Sequence, residues 1–131
     1  MSNKLEIFVL EDSEDRIKWF LKEFNDCNVT IATNANDGIS IIKEKRFDII
    51  ALDHDLEFFK NDPQGLGFCP SDYFNTGYTV AKIIPDSINK KALIIIHSLN
   101  PVGASNIHTL LPQAHRMMFG TFKRSTFIKN K

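Results

Sequence analysis

The sequence predicts an α/β protein, a three-layer α/β/α sandwich around a doubly wound, five-stranded parallel sheet. Three observations carry that expectation. Short apolar runs alternate along the chain with stretches of helical spacing, the pattern that lays helices over a parallel sheet. The run DIIALD (48–53) is apolar on both faces, as a strand buried on both sides must be. Polar residues gather where the apolar runs stop: Glu11 and Asp12, then Asp53, His54 and Asp55, then His97 and Ser98. In a doubly wound sheet those strand ends share one rim, where ligands bind.

The elements follow in order. LEIFVL (5–10) is too brief for a helix and reads as the first strand. Ser13 can cap a helix whose Ile17, Phe20, Leu21 and Phe24 recur at i, i+3, i+4 and i+7. NVTIAT (28–33) is β-branched and reads as the second strand; Asn34 or Asn36 then caps a helix through Ile39, Ile41, Ile42 and Lys45. DIIALD is the third strand. A segment rich in Gly, Pro and aromatic residues follows over 56–75, either a lid that stacks a base or an apolar plug over the sheet. TGYTVAKIIP (76–85) is a helix capped by Thr76 and ended by Pro85. ALIIIHS (92–98) is the fourth strand, 103–111 a short helix and RMMF (116–119) the fifth strand; the tail after it is too poor in apolar residues to assign.

A chain of 131 residues is expected to form one domain over 1–131, large enough to bury roughly two thirds of its unfolded surface. No run approaches the roughly 20 apolar residues of a membrane span, and the start MSNKLEIF has no signal-peptide core. The expectation is a cytoplasmic protein with no membrane and no duplex nucleic acid as partner. Cys27 and Cys69 fall in no metal-finger or CxxC spacing and read as reduced thiols. All 16 acidic residues precede Ser87, whereas 87–131 carries seven Lys or Arg. That asymmetry raises the expectation of a phosphate-attracting surface beside an acidic pocket, against the plainer reading of solvated charge.

Carboxylates converging on one rim repel one another unless a cation intervenes, and Mg²⁺ or Mn²⁺ with oxygen ligands is the natural solution. Glu11, Asp12 and Asp53 are the expected metal ligands. The competing reading is that Glu11 and Asp12 merely favour the start of the first helix through its dipole. His97, at the end of an apolar strand, is either a proton-transfer group or a structural hydrogen-bonder. Strand alternation leaves open whether His97 or Ser98 faces the pocket.

VLEDSEDR, the Asp-apolar₄-Asp pattern of DIIALD, TG at the third helix and Ser after the fourth strand together resemble a response-regulator receiver domain. The resemblance implies the receiver or flavodoxin-like strand order 2-1-3-4-5, Mg²⁺ on the acidic pair and phosphate acceptance at Asp53. The chain departs from signalling receivers in having His54 after Asp53, a long connection after strand three, RMMFG in place of a strand-five Lys-Pro, and a truncated last helix. Lys123 lies too far beyond that strand to substitute. LDHDL (52–56) and HSLNPVG (97–103) resemble the narrower group of cyclic-phosphate-processing receiver-like domains of bacteria and phages. That resemblance implies metal-assisted ring opening of a cyclic phosphate on a nucleotide or related molecule. Asp53, His54 and His97 would be catalytic, and Asp55, Ser98, Asn100 and Gly103 would contact substrate. Asn100 before Pro101 also fits a helix cap, whose backbone N–H groups can meet a phosphate. The alternative is a module without catalysis, either a phospho-accepting receiver or a protein that sequesters a cyclic nucleotide.

Overall fold

The computed structural model describes residues 4–53, 77–97 and 101–116. They form a five-stranded, wholly parallel sheet in the order β2-β1-β3-β4-β5, from β1 (Glu6–Leu10), β2 (Asn28–Ala32), β3 (Ile49–Leu52), β4 (Leu93–Ile96) and β5 (His115–Arg116). The order reverses beside β1, so the three central strands β1, β3 and β4 bring their carboxyl ends together. Register is tight there: Leu10 pairs with Leu52, and Leu52 with Ile96.

Alternation divides the core in two. Phe8, Leu10, Ile50, Leu52, Ile94 and Ile96 face one side, against α2 (Ala35–Glu44), α3 (Gly77–Ile83) and α4 (Pro101–Leu110). Ile7, Val9, Ile49, Ala51 and Ile95 face the other, against Phe20 and Phe24 at α1 (Glu14–Glu23). Helices therefore cover both faces, which gives the three layers. Leu21, expected on the inner face of α1, is 46% exposed; the buried stripe is narrower than the spacing suggested, two rings at i and i+4 stacked 6.2 Å apart.

The caps are local chemistry. Ser13 accepts a hydrogen bond from the Arg16 amide and starts α1. Asn34, rather than Asn36, starts α2: its side chain accepts from the Asp37 amide at 2.9 Å. α2 rests close on the sheet because Gly38 offers no side chain; a Cβ there would stand 3.2 Å from Val80 and 3.3 Å from Leu10. α3 gives way to a 3₁₀ turn over Ile84–Asp86 that contains Pro85, since proline cannot donate into a continuing helix. α4 begins at Pro101, earlier than the spacing suggested, consistent with the preference of proline for the first helical turn. The segment 56–75, Thr76, Cys69 and the tail beyond Arg116 lie outside the described residues.

Candidate functional site

One step past the paired residues Leu10, Leu52 and Ile96 stand Glu11, Asp53 and His97. The ladder continues through them: the Asp53 amide donates to the Leu10 carbonyl at 3.2 Å and the His97 amide to the Leu52 carbonyl at 3.0 Å. All three share the parity of Val9, Ala51 and Ile95, so their side chains turn toward the α1 face. Parity thus answers which strand-four residue meets the acidic rim: His97 does. Glu11, Asp53 and His97 are 0%, 3% and 1% exposed, and Phe20 closes over the imidazole edge to face at 5.0 Å between ring centroids.

Glu11 is the hub. Its Oε1 accepts from Arg16 Nε at 2.9 Å and from His97 Nε2 at 3.0 Å. Its Oε2 accepts from Arg16 Nη2 at 3.1 Å and from the amides of Asp12 and Ser13 at 3.1 and 3.0 Å. Arg16 Nη2 also lies 3.5 Å from Asp53 Oδ2. Burial pushes the Glu11 carboxyl up, but the hydrogen bonds from His97 and Arg16 outweigh it and hold the group at about 2. Burial pushes the His97 imidazole below its ordinary value, against the opposing pull of Glu11. Glu11 is therefore ionised and His97 neutral near pH 7. A carboxylate only accepts, so His97 carries its proton on Nε2 and has its lone pair on Nδ1.

Among the described residues, Glu11, Asp53 and His97 offer ligand atoms within 4.8 Å of one another. Two carboxylates and an imidazole suit a divalent cation in kind. Both Glu11 oxygens are, however, already engaged by Arg16, His97 and the two amides. Asp12, expected to share the ion, is half-buried beside the hub and donates its amide to Glu11. Gly103 lies buried in the first turn of α4. His54, Asp55, Ser98 and Asn100 lie outside the described residues.

Sequence reasoning missed Arg16. Its signal was present: third in a capped helix immediately after the strand-end acids, where a long side chain points back toward the strand end. The expected basic surface beside the pocket is not formed by Lys90 and Lys91. They border a cleft of about 410 Å³ with Arg46, and that cleft lies at the amino ends of β3 and β4, across the sheet from the acids.

Residues 7–113 match the profile of the cyclic-phosphate processing receiver domain. The chain belongs to that family. A search of curated proteins gave no match. Solved receivers share the fold of this cyclic-phosphate processing receiver domain. The receiver domain of the sensor histidine kinase PA1611 from Pseudomonas aeruginosa PAO1, solved with magnesium in its active-site cleft, is 19% identical, with a TM-score of 0.62 over 94% of this chain and 90% of that one. A response regulator from Burkholderia pseudomallei with a phosphorylated aspartate is 16% identical, with a TM-score of 0.67 over 94% and 64% of the two chains. A CheY-like receiver from Methanospirillum hungatei JF-1 is 16% identical, with a TM-score of 0.65 over 95% and 88%. At such identity the likeness establishes the fold.

Proposed function

We propose that this protein handles a phosphoryl group at Asp53 with the help of a divalent cation, Mg²⁺ or Mn²⁺. One observation carries the reading: Asp53 ends the central strand, 3% exposed, in one row with Glu11 and His97. In the form that the solved receivers support best, Asp53 is phosphorylated, as an aspartate is in the Burkholderia regulator, and a small phosphate donor would supply the group. The ion would be held by Asp53 with Asp12, and by Glu11 once Arg16 has left it. Bound there, it would neutralise charge on the incoming phosphate. With RMMFG in place of a strand-five Lys-Pro, an aspartyl phosphate here lacks a lysine clamp at that position and is expected to be short-lived.

A second reading, opening of a cyclic phosphate on a nucleotide or related small molecule, is favoured by the family to which the chain belongs and by His97. A neutral imidazole on the rim is suited to proton transfer; His54, Asp55, Ser98, Asn100 and Gly103 would complete the substrate contacts. Sequestration of a cyclic nucleotide is the limit of this reading without catalysis.

Two incubations of one preparation separate the readings. Acetyl phosphate with Mg²⁺ or Mn²⁺ is expected to give a phosphoryl adduct, or steady phosphate release, that Asp53→Asn abolishes. A panel of cyclic mono- and oligonucleotides is assayed in parallel for ring opening. Ring opening without reaction with acetyl phosphate places the second reading first; neither reaction overturns both catalytic readings, and absence of cyclic-nucleotide binding in calorimetry then overturns sequestration as well.

A further inference from the structure

We infer that Arg16 is the built-in cation of this site, and that a divalent ion and Arg16 compete for Glu11. The inference rests on the metal reading above and concerns how that site is regulated. The guanidinium grips Glu11 side-on, Nε to Oε1 and Nη2 to Oε2 at 2.9 and 3.1 Å, the two-pronged geometry that makes arginine–carboxylate pairs strong. His97 and the amides of Asp12 and Ser13 use the other approaches to the same oxygens. A metal ion bonding to either oxygen must displace a donor. The amides are fixed by the backbone of the cap and His97 is packed under Phe20. Arg16, whose side chain is 27% exposed, has solvent to turn into. Repulsion acts in the same direction, since an ion on Glu11 would stand within a few ångströms of the guanidinium charge.

The ion-competent state is thus the fraction of molecules with Arg16 turned away, and the apparent affinity for the ion is reduced by that fraction. Without an ion, the Arg16 guanidinium pairs with Glu11 and lies 3.5 Å from Asp53, so one protein cation offsets part of the charge of the two carboxylates. A Lys at this position would hold Glu11 by a single point contact and release it more readily.

The test is calorimetric titration of the metal-free, full-length protein with Mn²⁺ and with Mg²⁺, no phosphate present, for wild type, Arg16→Lys and Arg16→Met. Circular dichroism verifies the fold. Affinity is expected to rise in that order, by about tenfold or more between wild type and Arg16→Met, the effect of removing a competing state. Without metal, Arg16→Met should melt below wild type, and saturating Mn²⁺ should raise its Tm by more than that of wild type. Equal or weaker ion binding by Arg16→Met overturns the competition; if that variant does not fold, the same comparison between Arg16→Lys and wild type decides. Should no protein in the series bind either ion, the metal reading itself fails and the competition falls with it.

Discussion

Five hydrogen bonds end on the two oxygens of Glu11, and this sets the cost of removing them. Glu11→Ala takes the acceptor from the buried His97 imidazole and from two half-buried amides, while the partly exposed Arg16 is left to Asp53 and solvent. A buried donor left without its partner costs about 1–3 kcal/mol, so urea unfolding should show a loss of that size. Glu11→Gln keeps the shape but turns an NH₂ toward donors, and should fall between Glu11→Ala and wild type. A loss below about 1 kcal/mol for Glu11→Ala would mean that the hub is solvated. Phe20 tests the neighbouring contact. Phe20→Leu keeps most of the apolar volume but loses the ring over His97 and should cost about 1–2 kcal/mol, with the imidazole NMR signals of His97 shifting. Glu11, Asp53 and His97 were legible in sequence because each is the first polar residue after an apolar run of fixed parity. Arg16 was not, because its role depends on the angle at which α1 leaves β1, and no residue type announces that angle.

Among the elements, α2 is held at both ends by asparagines, and the two differ in how far they could be read. Asn34 caps the start through the Asp37 amide; Asn36, two residues on, is exposed and inside the helix. Asn34→Ala should cost about 1 kcal/mol and Asn36→Ala close to nothing, a contrast that urea midpoints resolve. The sequence left both open, because a cap is chosen by where the chain turns and either residue had the right chemistry. Asn89 had no signal at all. It sits buried in the turn before β4, and its amide donates to the carbonyls of Ile42 and Lys45 at 2.8 and 2.7 Å while its oxygen accepts from the Phe47 amide at 2.6 Å. It thereby satisfies carbonyls at the end of α2 that the helix cannot and ties that end to the entry of β3. Asn89→Ala leaves three backbone groups wanting partners and is expected to cost about 2–4 kcal/mol; a cost near zero would mean that water replaces the side chain freely. Contacts across 42 and more residues of sequence leave no local pattern to read.

At the scale of the whole molecule, the layers and the parallel sheet followed from alternation and from DIIALD, while the strand order came with the motifs that the chain shares with receivers. The charge asymmetry could be read only in part, because position in sequence does not say which end of a strand a lysine occupies: Lys90 and Lys91 precede β4 and so lie at the end away from the acids that follow β1 and β3, whereas Lys123, Arg124, Lys129 and Lys131 lie outside the described residues. The buried acid–imidazole pair does make global stability a function of pH. His97 is held below its ordinary 6.5 by burial, so the unfolded chain takes up a proton there that the folded one refuses, and stability falls as pH drops through about 6.5. Glu11 is held at about 2 against an ordinary 4.5. Its contribution is complete above 4.5 and is lost as pH falls from there toward 2. The two losses have the same sign and follow one another, the carboxylate share amounting to about 3 kcal/mol at most. Urea midpoints measured in EDTA from pH 7.5 to 2.5 should therefore decline in wild type from near 6.5 downward. In Glu11→Gln the decline below 4.5 should flatten, because an amide has no proton to take up. A wild-type profile that stays level between pH 7 and 3 would show that Glu11 and His97 titrate alike in the folded and unfolded chain, and the buried hub would then carry no net electrostatic stability.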